Sequence, residues 1–521
     1  MELLTREILS QSLTCKGTMQ ITLEEDVDVS DTNPDIDQII KLQGNIQIGT
    51  VTPGEGQVLL SGDLSFSLLY MTSDDFRPLH NMSGKLPFQE TIHIDDATPG
   101  DEVFCHYELE DCQAELINSR KIRIRALISF QCCQEKQQKC QVGVDIVDSE
   151  NLQIKPDHLT YTRLANQKRD YFRIKDSFEL PKAKPSMDSI LYYEMTPQNM
   201  QTRTVEDGIR FIGDLQVFLL YLPEGEEHRI EYLEEELPFD GVLSCPEIHE
   251  DTIFSLELLG TRKSLDIQTD EDGENRVIDL DLNLEYFMKF YEEDDFHYLK
   301  DAYSTSCTLL PTMETISSKK LAMKNQSTLR LSEELNLDAS HPPVLQLCNA
   351  TGSIKIDEQE IVADGIQLEG MVELELLYLT KDDRKPLALQ KTVMPFSHKI
   401  DSKGIQPEDD YELQTSVNQI NVILLDENSI EAKVSINFCT YVFTHQTTEM
   451  ITAIEEKPLD MEQLQNMPGL VGLIVDDDNN LWSIAKEYHT TMEDIMELNG
   501  LESDVVKPGD RLLLLKKVDM L

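Results

Sequence analysis

A spaced pattern that occurs three times constrains this chain more than any other feature. In each copy Leu-Leu-Tyr begins six residues after a glycine, Pro-Phe begins seventeen residues after the tyrosine, and a proline lies 28 residues before the glycine. The copies run from Pro34 through Gly62 and Tyr70 to Pro87-Phe88, from Pro185 through Gly213 and Tyr221 to Pro238-Phe239, and from Pro342 through Gly370 and Tyr378 to Pro395-Phe396. Spacing that is kept without insertion over units of about 150 residues indicates three copies of one domain rather than one large enzyme body.

Length and charge limit the classes of partner. The 521 residues correspond to three or four domains, and a hydrophobic content of 40% is enough for sizeable cores. The formal net charge of −52 argues against nucleic acid and anionic membranes as partners, because both would repel the chain. Two interpretations of this charge stay open: a solubilising acidic surface, or attraction of a basic partner or scaffold.

The sequence gives no sign of export, membrane insertion or metal binding. Residues 1–7 contain no basic segment followed by an apolar one, and no apolar run approaches the ~18 residues that span a bilayer. We therefore expect a soluble, intracellular protein. The ten cysteines do not recur with the repeats, and Cys132, Cys133 and Cys140 lack a fourth zinc ligand nearby. Reduced core cysteines and no cofactor are the expectation.

The segment after each glycine alternates apolar and polar side chains, which is typical of a half-buried strand. The apolar sets are Leu64, Phe66 and Leu68; Leu215, Val217 and Leu219; and Val372, Leu374 and Leu376. The pattern predicts a mainly β protein of three repeated antiparallel domains, each a sandwich or small barrel. We expect each recurring glycine to mark a bulge or a close backbone approach. We expect each Pro-Phe to end a loop and place an aromatic in the core, and the upstream proline to open a short helical turn.

Acidic or Lys/Pro-rich stretches suggest linkers between the copies. The predicted domains are 1–155, 170–310 and 326–455, followed by a small module at 471–518.

The last module has a helical pattern. An asparagine precedes a helix that begins near Leu481, the capping-box spacing of Thr491 and Asp494 opens a second helix, and Asn499-Gly500 ends it. Short strands are predicted on either side, at 473–475 and 511–515. The side chains expected to face inward are Leu481, Ile484, Ala485, Tyr488, Ile495 and Leu498. The order is therefore β-α-α-β.

This module resembles a LysM domain. The resemblance rests on Leu481-Trp482-Ser483-Ile484-Ala485, Leu498-Asn499 and Pro508-Gly509-Asp510-Arg511-Leu512. It implies binding of N-acetylglucosamine glycans through the loop before the first helix and the loop after the second. The first loop of the family usually carries Gly-Asp-Thr, whereas this chain has Asp478-Asn479-Asn480, and the module has ten acidic residues against five basic ones. A protein-binding LysM domain is the alternative.

The whole chain resembles the SPOCS-domain and LysM spore-coat morphogenetic proteins of anaerobic endospore formers. The resemblance implies a role in sporulation, spore coat assembly and forespore encasement, at the forespore surface in the mother-cell cytoplasm. It also implies contacts with other coat proteins and docking of the LysM domain onto the basement-layer coat ATPase, the stage IV sporulation protein A. The expected partner-binding residues are Ile474, Asn479, Trp482 and Met492. Trp482, the only tryptophan, is either partial core packing or an exposed anchor.

Two other functions compete with that of an assembly adaptor. A carbohydrate-binding module that recognises cortex or cell-wall glycan is the alternative to an assembly adaptor. A wall hydrolase would need catalytic parts, but acidic clusters such as Glu234-Glu235-Glu236 read as solvated loops, and no phosphate loop, His-Glu-x-x-His motif or nucleophile elbow is present. We therefore expect no catalytic residues.

Overall fold

The computed structural model describes residues 2–73, 77–95, 97–100, 103–147, 151–225, 230–246, 248–249, 252–338, 341–382, 384–459, 468–477 and 479–515, without the side chains of residues 9–15 and 135–138. Within these ranges three six-stranded repeats precede a small domain of two strands and two helices. No helix in the described part of the chain is both long and apolar enough to cross a membrane.

Each repeat consists of two antiparallel three-stranded sheets. One sheet has the order first-sixth-fifth strand, and the other has the order second-third-fourth. Repeat 1 comprises β1 (Glu2–Asp28), β2 (Gln38–Gly54), β3 (Gln57–Met71), β4 (Leu79–His93), β5 (Val103–Asn118) and β6 (Lys121–Val147). Repeat 2 comprises β7 (Leu152–Glu179), β8 (Met187–Val205), β9 (Gly208–Pro223), β10 (Glu231–Ser244), β11 (Ile253–Thr269) and β12 (Asn275–Ser304). Repeat 3 comprises β13 (Cys307–Asn336), β14 (Val344–Val362), β15 (Gly365–Thr380), β16 (Leu387–Asp401), β17 (Asp410–Asp426) and β18 (Ser429–Pro458).

The two sheets of a repeat enclose one hydrophobic core. In repeat 1, Leu64 and Leu68 of β3 are fully buried in the same cluster as Ile122 and Ile124 of β6. The other repeats have equivalent clusters. Because alternate residues of the central strands point to this core, the period-two pattern correctly predicts an antiparallel, mainly β fold.

The recurring glycine lies where the backbone of a neighbouring strand comes close. Gly370 pairs with Phe396 on β16 and faces a bulge on β14. A Cβ on Gly370 would lie 2.3 Å from the carbonyl oxygen of Lys355 and 3.1 Å from the Phe396 ring. Gly62 and Gly213 have the same neighbours in their repeats. The predicted bulge is confirmed, but the phenylalanine lies within a strand rather than at the end of a loop.

The recurring tyrosine is tied to the recurring proline. The Tyr378 hydroxyl donates a hydrogen bond to the carbonyl oxygen of Pro342 at 3.1 Å. Tyr221 and Tyr70 make the same bond to Pro185 and Pro34, at 3.2 and 3.4 Å. The expected helical turn at these prolines is wrong, because the segments have irregular backbone. Instead, the proline carbonyl satisfies a hydroxyl that is buried in the core.

The first and sixth strands of each repeat extend beyond the sheets as two-stranded ribbons. For example, β6 pairs with β5 only as far as Gln134, but with β1 as far as Val147. The segments 156–169 and 311–325, interpreted from sequence as linkers, therefore belong to strands β7 and β13. Within residues 311–320, the ribbon part of β13, Ile316 is the one buried hydrophobic side chain. With a single buried apolar position, this stretch lacks the regular alternation that indicates a strand in a sequence.

The three repeats pack against one another through a shared cluster of apolar side chains rather than forming a linear array. We call this contact the three-repeat junction. It includes Leu69, Met71 and Leu79 of repeat 1, Phe218, Leu220 and Leu222 of repeat 2, and Cys348, Leu377 and Leu387 of repeat 3. The second leucine of each Leu-Leu-Tyr thus points away from its own repeat and into this junction. The three ribbons meet in a second cluster of Ile8, Val142, Leu159, Tyr161, Phe296, Tyr298, Ile316 and Met450.

Two buried cysteines meet between neighbouring strands of repeat 1. Cys105 of β5 stands directly opposite Cys132 of β6, with the two Cα atoms 4.1 Å apart. This separation is shorter than a disulfide ordinarily spans, so the expectation of reduced core cysteines stays a prediction. In the described ranges no group of three or more His, Cys, Asp or Glu side chains is placed to hold a metal ion.

An ion pair between repeats 1 and 2 gives a testable pH dependence. The Nδ1 atom of His106 lies 2.5 Å from Oε1 of Glu257, and this hydrogen bond raises the pKa of His106 above 6.5, with Glu108 contributing. A raised folded-state pKa stabilises the fold below the unfolded value, and the contribution is lost as the pH rises through the folded value. Because the pair is half exposed, we expect a loss of about 0.5 kcal/mol or less between about pH 6 and about pH 8.

The measurement is urea unfolding at the two pH values. His106→Gln should show a smaller difference between them than the wild type does. Equal pH dependence in both proteins would show that the His106–Glu257 pair does not contribute to the pH dependence of stability.

Candidate functional site

The C-terminal domain is built from four short elements. They are β19 (Leu470–Ile474), α1 (Leu481–Glu487), α2 (Met492–Asn499) and β20 (Arg511–Leu515), with β19 and β20 antiparallel. The Asn480 side chain accepts a hydrogen bond from the Ser483 amide at 2.8 Å, and Thr491 caps α2 through the Asp494 amide at 3.1 Å. Gly500 ends α2 in the left-handed region, at φ 63°. The predicted β-α-α-β order and caps are confirmed.

The core of this domain follows the predicted helical faces with one exception. Leu481, Ile484, Ala485 and Ile495 are buried, together with Leu512 and Leu514 of β20. The prediction that Leu498 faces inward is wrong, since its side chain is 43% exposed. It lies near the end of a short helix whose inner face is already filled by Ile495.

The structure separates the four expected partner-binding residues. Ile474 ends β19 and is 62% exposed, whereas Trp482 on α1 is 8% exposed. Asn479 and Met492 are half-buried, and Met492 packs against the core. Asp478, in the loop compared above with Gly-Asp-Thr, lies outside the described residues. Ile474 and Trp482 therefore do not form one continuous exposed surface.

Trp482 is covered by the end of the repeat 2 ribbon. We call the cluster of Lys155, Asp301 and Tyr303 the ribbon tip; Lys155 and Asp301 are paired across β7 and β12. The indole Nε1 of Trp482 donates a hydrogen bond to Oδ2 of Asp301 at 2.9 Å. The Tyr303 ring meets the Trp482 ring edge-on at a centroid distance of 4.9 Å. The exposed-anchor interpretation of Trp482 is thus corrected: its ring is buried, and the covering groups come from another domain.

Further contacts of the ribbon tip reach both helices. The Nζ atom of Lys486 lies 2.6 Å from Oδ1 of Asp301, so one carboxylate binds two residues of α1. The Tyr303 hydroxyl donates to the carbonyl oxygen of Thr490 at 3.0 Å. Burial raises the pKa of Tyr303 to about 12, assisted by the nearby carboxylates of Asp301 and Asp494. The hydroxyl therefore stays protonated, and able to donate, to a higher pH than that of an exposed tyrosine.

An apolar surface lies on the opposite side of the domain. We call it the outer face: Leu470 and Ile474 of β19 with Leu513 and Leu515 of β20, which are 57%, 62%, 47% and 50% exposed. Leu470 pairs with Leu515 across the two strands. Since Leu512 and Leu514 pack inward, β20 is apolar on both sides, as in strands that are covered on both faces. Nothing in the described chain covers the outer face of this small sheet, so it can receive a partner.

A cavity of about 1820 Å³ opens between the repeats. One carboxylate links repeats 2 and 3 across it: Glu412 accepts from Lys289 Nζ at 2.7 Å and from the Tyr291 hydroxyl at 3.0 Å. Asp410 pairs within repeat 3, at 2.6 Å from Lys319 and 3.0 Å from His445. These carboxylates are therefore engaged in contacts that stabilise the fold.

Comparison with protein families accounts for both parts of this architecture. The SipL SPOCS-domain model matches residues 35–117, 186–262 and 343–425, and the LysM-domain model matches residues 474–514. The chain contains three SPOCS domains and a C-terminal LysM domain. This combination is that of a sporulation-related protein with a module of the peptidoglycan-binding class. No curated protein and no solved structure was found to match.

The SPOCS matches cover only part of each six-stranded repeat. In repeat 1 the match spans β2 to β5, and in repeat 3 it spans β14 to β17. The first and sixth strands, which form the ribbons, lie outside it in all three repeats. The ribbon tip that holds the LysM domain therefore belongs to neither matched domain.

Sequence reasoning missed Lys155, Asp301 and Tyr303. They lie at a repeat boundary, outside the repeated signature, and no motif marks them. Tyr303 follows two other aromatics, Phe296 and Tyr298, and nothing in the sequence distinguishes it from them.

Proposed function

We propose that this SPOCS–LysM protein is a non-enzymatic assembly adaptor in endospore coat morphogenesis. In this proposal it lies in the mother-cell cytoplasm at the forespore surface and encases the forespore together with other coat proteins. Its LysM domain docks onto the stage IV sporulation protein A, the basement-layer coat ATPase. The pairing of SPOCS repeats with a LysM domain supports a role in sporulation.

The outer face of the LysM domain carries the docking proposal. Its four large apolar side chains are each about half exposed or more, on a two-stranded sheet whose other side is already packed. Apolar anchors at the centre of a surface contribute most to protein–protein binding. Of the expected docking residues, Ile474 belongs to this face, whereas Trp482 contacts the ribbon tip and Met492 packs against the core of the domain.

The experiment measures binding of the full-length protein to the purified coat ATPase. We expect Ile474→Asp to weaken binding at least about tenfold, which corresponds to about 1.4 kcal/mol, because the charge would be buried at the interface. Val505→Asp is the matched control, since Val505 is 71% exposed in a loop of the same domain and lies outside the outer face. If Ile474→Asp and the wild type bind the coat ATPase with equal affinity, the outer face is not the docking surface.

The alternative function is recognition of cortex or cell-wall glycan. It is favoured by the LysM match itself, since that family commonly binds N-acetylglucosamine polymers. Retention on purified peptidoglycan separates the two: the adaptor proposal predicts little retention of the full-length protein. Strong, saturable retention together with no binding to the ATPase would favour the glycan module.

A further inference from the structure

The contact between the LysM domain and repeat 2 has a consequence for access to Trp482. We propose that the ribbon tip of repeat 2 is a releasable clasp, which withholds the indole side of the LysM domain from solvent and from incoming ligands. The clasp goes beyond the proposed docking function, which uses the outer face on another side of the domain. It is a property of this chain alone and can be tested without a partner.

Three side chains of the ribbon tip form the clasp. Asp301 accepts from Trp482 Nε1 at 2.9 Å and from Lys486 Nζ at 2.6 Å. Tyr303 packs against the indole edge and donates to Thr490, while the Nζ atom of Lys155 lies 5.8 Å from the indole ring centroid. Together these groups cover the ring from several directions, which leaves Trp482 only 8% exposed.

The contacts that form the clasp are few and partly exposed, so they can break. The clasp depends on few side chains, and the charged partners Lys486 and Asp301 are 39% and 27% exposed, so water and salt compete with their interaction. A contact between domains that depends on so few side chains permits relative motion.

The covalent connection leaves room for release. Strand β18 ends at Pro458 and β19 begins at Leu470, so eleven residues join the repeats to the LysM domain. A chain of that length reaches about 36–40 Å when extended. The LysM domain can thus leave the ribbon tip without disturbing the repeats.

Release would change which LysM surfaces are available. In the clasped state the outer face is open and the indole side is closed. In the released state both are open, and Tyr303 is exposed as well. A ligand that needs Trp482 must therefore compete with Asp301 and Tyr303, and binding and clasping exclude each other.

The single tryptophan makes the clasp directly measurable in the full-length protein. Acrylamide quenching of Trp482 fluorescence should be weak in the wild type at low salt. In Asp301→Asn, which removes the ion pair with Lys486, we expect at least a twofold larger quenching constant and an emission shift to longer wavelength. Tyr303→Ala, which removes the packed ring, should give the same result.

Asp295→Asn is the matched control. Asp295 lies on the same strand, is exposed, and accepts a hydrogen bond from Thr160 at 2.6 Å rather than from the LysM domain. Its quenching should equal that of the wild type. Wild-type quenching in both Asp301→Asn and Tyr303→Ala would overturn the clasp, since Trp482 would then be buried by the LysM domain alone.

Failure of the docking function would look different. If the wild type and Asp301→Asn both fail to bind the coat ATPase, the docking proposal fails. The difference in quenching between these two proteins, measured without any partner, still decides the clasp.

Discussion

Leu220→Asp is expected to lower the free energy of unfolding by about 4 kcal/mol or more. Leu220 is fully buried in the three-repeat junction, a cluster of apolar side chains contributed by all three repeats. Substitution removes the buried side chain and places a carboxylate without a partner in an apolar environment, and each of these changes destabilises the fold. The measurement is guanidinium unfolding followed by far-ultraviolet circular dichroism.

Val242→Asp serves as the control for this substitution. Val242 lies in the same repeat but is 54% exposed, so the same new charge stays in water, with an effect within about 0.5 kcal/mol. If the two variants unfold at the same denaturant concentration, the repeats are not closed around Leu220 as described.

Tyr378→Ala is expected to cost about 3–5 kcal/mol, whereas Tyr378→Phe costs about 1 kcal/mol. Tyr378 is 1% exposed in the core of repeat 3, and its hydroxyl donates to Pro342. Alanine leaves a cavity the size of the ring, while phenylalanine keeps the ring and removes only the hydrogen bond. Unfolding of both variants in guanidinium separates the two contributions.

The control for the tyrosine series is Tyr171→Ala. Tyr171 is 43% exposed, so its removal creates no internal cavity and should cost far less. A Tyr378→Phe variant as unstable as Tyr378→Ala would show that the hydroxyl, rather than the ring, dominates at this position.

Local chemistry explains why much of the fold was predictable from the sequence. Gly370, Phe396 and the bulge opposite them depend on contacts between neighbouring strands, and such contacts impose fixed spacings. The period-two pattern likewise depends on one core per repeat. In the LysM domain, the caps at Asn480 and Thr491 and the stop at Gly500 act within a few residues. These features could be predicted because each is determined by residues that are close in sequence or that recur with the same spacing in every repeat.

The ribbons and their contacts were not predictable in the same way. Parts of strands β7 and β13 lie in segments interpreted as linkers. In β13, Ile316 is the one buried hydrophobic side chain among residues 311–320, and in β7 the buried Leu159 and Tyr161 face the other ribbons rather than the core of a repeat. Asp301 lies 181 residues before Trp482, and only the closing of repeat 2 and the return of the chain after repeat 3 bring them together. An isolated tryptophan on a helix is compatible with either exposure or burial until its neighbours are known.

The Leu-Leu-Tyr triplet shows most clearly which features the sequence predicts and which depend on the tertiary structure. The sequence by itself determined that there are three copies, that each is an antiparallel β domain, and that the first leucine belongs to its apolar face. Only the tertiary structure decided the place of the second leucine, because Leu69, Leu220 and Leu377 point away from their own repeats. Alternation along a strand determines which side of the sheet a residue occupies. What covers that side depends on how whole domains pack together.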